Sequence, residues 1–239
     1  MQAGDDLCQI ILDAAARNDV PLEDDDIIVL AQKIVSKAEG RQVALNSVTP
    51  SAAALELANS TKKDPRLVEL ILSESQEVVR QRPQTIIVRH KLGLVLANAG
   101  IDQSNVDGGD GPQALPLPLN PDESAAKLRT QIEKATGKKV AVLIIDSLGR
   151  AWRIGTVGTA IGVAGLPAIQ DLRGRPDLTG RLLETSELGV ADEIAASASL
   201  AMGQSNEGRP IVVIKGLTFH DGDGKAADMI RPKEMDLFQ

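Results

Sequence analysis

The sequence predicts a mixed α+β fold, and three observations carry the prediction. Short β-branched and aliphatic runs, "IIVLA" (27–31) and "VAVLII" (140–145), are interspersed with stretches whose apolar residues recur at helical spacing. These elements do not follow a regular strand–helix–strand repeat, which disfavours a doubly wound sheet. The 239 residues are 43% hydrophobic but only 1% aromatic, so the core is aliphatic. That length suits one large domain or two intimately packed subdomains, and a single domain over residues 1–239 is expected.

Taken in order, Asp6 to Asn18 reads as a helix with Leu7, Ile10, Ile11 and Ala14 on one face. Ile27 to Ala31 reads as a buried strand, and the polar segment after it as a strand-to-loop turn. Thr49 to Ala58 and Pro65 to Ser75 read as helices, with Thr49-Pro50 and Asp64-Pro65 as start signals. Two short strands flank His90-Lys91-Leu92-Gly93, a hairpin candidate. Asn105 to Asp122 is rich in Gly, Pro, Asp and Asn and reads as irregular. A helix over Ser124 to Thr136 is closed by Gly137, and the strand Val140 to Ile145 stops at Asp146. A Gly-rich segment (155–174), a helix (Ala191 to Met202), a strand (Pro210 to Lys215) and an irregular acidic tail follow.

Composition excludes several functions. The net charge is −7, so no basic stripe is available to neutralise a nucleic-acid backbone. One cysteine, Cys8, permits neither an internal disulfide nor a cysteine-built zinc site, and two histidines cannot form a His-rich centre. No run approaches the ~18 apolar residues of a membrane span, and no signal-peptide pattern opens the chain. A soluble cytoplasmic protein is the expectation.

Four constellations carry candidate chemistry. Asp102 closes "GLVLANAGID" and Asp146 closes "VAVLIID", with Ser147 adjacent. Carboxylates at strand ends suit hard divalent cations shared with phosphates, although aspartate caps turns as readily. "GRAWRIG" sets Trp152 between Arg150 and Arg153, planar forks for an anion beside a stacking ring; the alternative is a structural arginine pair with the indole in the core. Lys33 and Lys37 in "AQKIVSKAEGR" lie within reach of a phosphate or form a solvated turn, and no Walker loop occurs. "MGQSNEGRP" offers amides and backbone N–H groups to a ligand, or only a helix end closed by Gly203. Asp192 and Glu193 fit a helix's first turn, Cys8 fits a core, and His220 reads as a surface histidine.

The order of these blocks is more telling than any one of them. "VSKAEGR", "NAGIDQSNV", "LPLPLNPDESAAKLR", "VLIIDSLGRAWRIGTVGTAIG", "VADEIAASASLAMG" and "RPIVVIKGL" follow one another over roughly residues 4 to 238. The chain resembles the F420 γ-glutamyl ligase family, closest to the form found as a ligase domain in bacteria. The resemblance implies that family's fold of two packed subdomains and a GTP-dependent ligase using Mg²⁺ or Mn²⁺, assisted by K⁺. It implies activation of the F420-0 carboxylate as an acyl phosphate, attack by the amine of L-glutamate, and later γ-linked additions. Carried over, Asp102, Asp146, Ser147 and Gln204 match metal-ligand positions. Gln32, Lys33, Lys37 and Asn105 match nucleotide-contacting positions, as do Met202, Gly203, Gln204, Ser205, Asn206, Glu207, Gly208 and Arg209. Asp102, Asp146 and Lys37 are then the catalytic set, and we assign Arg150, Trp152 and Arg153 to the anionic substrate. The resemblance also implies a homodimer. The chain opens "MQAGDDL" where the family usually has one more strand, with nucleotide contacts, before "GDDL". The alternatives are a paralogue joining another amino acid or acceptor, and a non-catalytic F420- or nucleotide-binding protein.

Overall fold

A computed structural model describes residues 1–106, 111–217 and 222–236. In chain order the elements are α1 (Leu7–Arg17), β1 (Ile27–Ala31), α2 (Gln32–Ala38), β2 (Val43–Ala44), α3 (Ala52–Thr61) and α4 (Pro65–Ser73). Next come β3 (Ser75–Arg82), β4 (Thr85–His90), β5 (Val95–Ala97), β6 (Gln113–Ala114), α5 (Pro121–Thr136), β7 (Ala141–Gly149) and β8 (Thr156–Ala164). The last are β9 (Gln170–Asp171), β10 (Glu187–Leu188), α6 (Val190–Met202) and β11 (Ile211–Ile214), with 3-10 turns at Ala226–Met229 and Lys233–Met235 in the tail. The mixed α+β class holds. The chain divides into two compact units, Met1–Leu7 with Gln32–Asn120 and Leu148–Val157, and Cys8–Ala31 with Pro121–Ser147 and Gly158–Gln239. His220 lies outside the described residues.

The second unit is built on a four-stranded sheet of order β11-β1-β7-β8. β1 runs parallel to β7, Ile27 opposite Ala141 and Ala31 opposite Ile145, and antiparallel to β11. Where they pair, both central strands are continuous apolar runs, Ile27–Ala31 and Ala141–Ile145, because both faces are covered. Val190, Ala191, Ile194, Ala195, Ala198 and Met202 give α6 one buried stripe in the same cluster as Val29, Leu143 and Ile145. Two glycines let helix backbones come close to β8. A Cβ on Gly158 would lie 2.4 Å from the Ala195 carbonyl oxygen, and one on Gly162 would lie 2.4 Å from that of Pro121. The Asp122 carboxylate, in the first turn of α5, accepts from the amides of Val163 and Ala226, each at 2.8 Å, and of Ala227 at 3.2 Å. Cys8 is buried, as expected of a small apolar side chain.

The first unit packs α3 and α4 with the antiparallel sheet β3-β4-β5. β4 alternates, with Ile86, Val88 and His90 buried. The predicted hairpin is present: His90 N donates to Leu94 O at 2.8 Å, and Gly93 supplies a φ of 88°. Asp64 caps α4, its side chain accepting from Arg66 N at 2.9 Å with Pro65 in the first turn. No described helix is long and apolar enough to cross a membrane.

Several expectations are corrected. Ser51, not Thr49, caps α3, accepting from Ala54 N at 3.3 Å. The polar segment after β1 is the helix α2, and 75–82 forms β3 where only a helix end is expected. α5 begins at Pro121, and β6 lies within the stretch read as irregular. The strand over 140–145 does not stop at Asp146 but continues to Gly149, and the Gly-rich segment contains β8.

Candidate functional site

In the first unit the candidate groups gather on Asp102. It does not end a strand. It follows β5 and a tight turn in which Asn98, Ala99 and Gly100 have φ of 52°, 54° and 64°. Left-handed backbone is ready for Gly, tolerated by Asn and costs about 1–2 kcal/mol for Ala. Asn98 Oδ1 accepts from Ile86 N at 3.1 Å, and Ala99 is fully buried, so packing holds the turn. Asp102 then makes a two-bond bridge with Leu115, its N donating to Leu115 O at 3.0 Å and its O accepting from Leu115 N at 2.8 Å.

α2 surrounds this carboxylate. Gln32 Nε2 donates to Asp102 Oδ2 at 2.8 Å, and Ser36 Oγ donates to Gln32 Oε1 at 3.0 Å. Lys33 Nζ lies 3.4 Å from the same Oδ2 and donates to Ser104 Oγ at 3.0 Å. Lys37 Nζ donates to the Asn105 carbonyl at 2.6 Å, where Asn105 has a φ of 55°. Burial pushes the Asp102 carboxyl above the usual aspartate range, and Lys33 and Gln32 oppose that shift. Gln32 and Lys33 are thus brought to Asp102, and Lys37 to Asn105 three residues on, although Gln32 is buried and committed at both ends.

In the second unit the candidates gather at the end of α6. Asp146 and Ser147 are half-buried on β7. Ser147 Oγ donates to Gln204 Oε1 at 2.6 Å, and Gln204 Nε2 donates to Ser199 Oγ at 2.8 Å. Gly203 closes α6 with a φ of 77°. Glu207 Oε2 accepts from Ser205 N at 2.8 Å, and this backbone bond holds its carboxyl below the usual range. Met202 is buried, whereas Gln204, Ser205, Asn206, Glu207, Gly208 and Arg209 are exposed. Asp192 caps the α6 packing, its Oδ1 accepting from Ala160 N at 2.9 Å, in keeping with a structural role.

The β7–β8 turn overturns the core alternative for Trp152. The residue is 88% exposed, φ is 63°, and Ile154 near it is fully exposed. Arg150 and Arg153 are exposed as well.

Ser36, Ser104 and Ser199 were not singled out by the sequence. Ser36 stands four residues after Gln32, a spacing that becomes a shared face only once the segment is known to be helical. Among the described residues no group of three or more His, Cys, Asp or Glu side chains is placed to hold a metal. The donors present are carboxylate, hydroxyl and amide oxygens, the chemistry that suits Mg²⁺ or Mn²⁺ completed by water and phosphate rather than a soft metal.

Comparison with known proteins agrees over nearly the whole chain. The family model for F420-0:Gamma-glutamyl ligase matches residues 1–216. The chain is 48% identical over 239 residues to a coenzyme F420:L-glutamate ligase of Methanothermobacter thermautotrophicus, covering 99% of this chain and 94% of that one. It is 48% identical over 219 residues to the protein of that name from Methanocaldococcus jannaschii, covering 92% and 86%. To the one from Archaeoglobus fulgidus it is 44% identical over 239 residues, covering 100% and 92%.

Proposed function

The chain belongs to the F420-0:gamma-glutamyl ligase family, and we propose that it joins L-glutamate to coenzyme F420-0 as an acid–amino-acid ligase of F420 biosynthesis. The observation that carries the activity is near full-length identity of 48% to proteins named for it.

GTP as co-substrate, a divalent metal, K⁺, a cytoplasmic homodimer and further γ-linked additions extend the proposal and rest on the family resemblance. In the proposed reaction a carboxylate oxygen of F420-0 attacks the γ-phosphorus of GTP and GDP leaves. The glutamate amine then attacks the acyl carbon, phosphate departs and the nitrogen loses its proton. Such chemistry asks for positioning and charge neutralisation more than for a protein nucleophile. A divalent metal, when bound, supplies part of that neutralisation on the phosphate oxygens.

The chain's own residues supply the rest. Lys33 is anchored on Ser104 beside Asp102 and Lys37 on the Asn105 carbonyl, which holds two point charges in place. Asp102, and separately Asp146, Ser147 and Gln204, supply the oxygen donors assigned to metal. The exposed loop 204–209 is assigned to the nucleotide, although its Ser205 N–H is already taken by the Glu207 carboxylate. Arg150 and Arg153, with Trp152 between them, orient an anionic substrate, either the phosphodiester tail of F420-0 or the incoming glutamate.

Phosphate release tests the proposal. GTP hydrolysis by the purified protein is expected to require F420-0, L-glutamate and Mn²⁺ together, and to stop in Asp146→Asn while the circular dichroism spectrum is unchanged. Hydrolysis indifferent to all three additions contradicts it.

A further inference from the structure

The buried polar residues behind Asp102 have no direct part in the reaction as proposed. Gln32 and Ser36 are 1% and 0% exposed. They sit four residues apart on one face of α2, and their hydrogen bonds run in one direction: Ser36 Oγ to Gln32 Oε1 at 3.0 Å, then Gln32 Nε2 to Asp102 Oδ2 at 2.8 Å. An ionised carboxylate only accepts, so it fixes the NH₂ end of the amide towards itself. The amide oxygen is then buried and needs a donor, which Ser36 provides, because a buried acceptor left without one is costly. Lys33 also addresses Oδ2, at 3.4 Å. All the polar partners of the Asp102 carboxylate among the described residues therefore fall on one oxygen, and Oδ1 is left open.

We propose that Gln32 and Ser36 are positioning residues for Asp102: a buried serine–glutamine relay that ties down Oδ2 and presents Oδ1. The side chain of Gln32 accordingly acts through Asp102 rather than on the nucleotide. Residues that orient a ligating carboxylate typically influence metal affinity or activity by about 10–100-fold. Ser36 acts only through Gln32, so its loss has the smaller effect.

The kinetic part of the test rests on the ligase reading; the binding part does not. Mn²⁺ binding to the full chain, without substrates, is followed by electron paramagnetic resonance in wild type, Gln32→Met, Ser36→Ala and Ser36→Cys. Gln32→Met is expected to weaken Mn²⁺ binding about tenfold. Ser36→Ala should weaken it less, and Ser36→Cys, which keeps a weak donor, should lie nearer wild type. In turnover assays the same variants should lower kcat with little change in the KM for glutamate. Should Gln32→Met fail to fold, the two Ser36 variants decide. Wild-type Mn²⁺ affinity in all folded variants overturns the relay, as does a loss confined to melting temperature. A wild-type protein that binds Mn²⁺ but makes no product overturns the ligase reading instead.

Discussion

Trp152 shows how one residue separates packing from function. A tryptophan at φ 63° and 88% exposure gives the core nothing, and its backbone is strained by about 1–2 kcal/mol. Strain of this kind persists at sites that use it. Trp152→Gly should therefore keep or slightly raise the melting temperature while raising the KM for F420-0 severalfold; a clear loss of stability would restore the core role. Glu74 makes the opposite case, a charge serving the fold. Its carboxyl is held below the usual range by His90, whose Nε2 is 3.7 Å away, with burial opposing and Arg41 assisting at 2.7 Å. At 3.7 Å the His90 contact is beyond hydrogen-bond reach, so the Arg41 bond is the stronger geometric tie. A carboxyl with a lowered folded pKa contributes stability above the free glutamate value of ~4.3, and that contribution is lost as pH falls through the folded value. Glu74→Gln should cost about 1–3 kcal/mol at pH 7 in urea unfolding, with the gap to wild type closing in acid. A gap independent of pH would mean that the charge is irrelevant.

At the scale of elements, the strongly periodic segments were legible and the context-dependent ones were not. α1, α4, α5, α6, β1 and β11 carry their own patterns, and Asp64-Pro65 and Gly203 mark ends that the structure keeps. α2 has seven residues and no capping side chain before it, since Ala31 precedes Gln32; its burial behind Asp102 sustains it. β3 is exposed along nearly its whole length, so no alternation betrays it. β8 was hidden by its glycines, which are there because two helix backbones leave no room for a Cβ. Gly158→Ala tests that reason. The added carbon would strike the Ala195 carbonyl and lie 2.5 Å from Ser199 Cβ, so about 1–3 kcal/mol of stability should be lost. Calorimetry should record a melting temperature lower by about 3–10 °C; no change would mean that β8 and α6 have slack. The site shows the same division. The candidate residue types could be named from the chain, but the serines that fix Gln32 and Gln204 could not, because hydrogen bonds across distant sequence leave no periodic trace.

For the molecule as a whole, composition narrows function before any motif does. A net charge of −7 and three aromatic residues suit neither a nucleic-acid surface nor an aromatic stacking platform. Each unit instead arranges a few oxygen and nitrogen donors on its own core: Asp102 with Lys33 and Gln32 in one, Ser147 with Gln204 and Ser199 in the other. Formation of a glutamyl amide on F420-0 is what this chain is expected to do. Mass spectrometry of F420-0 incubated with the protein, L-glutamate, GTP and Mn²⁺ decides it. A product heavier by one glutamyl residue, absent with EDTA and with Asp102→Asn, is the predicted result. Unchanged F420-0 in the presence of folded protein and every co-substrate would contradict it.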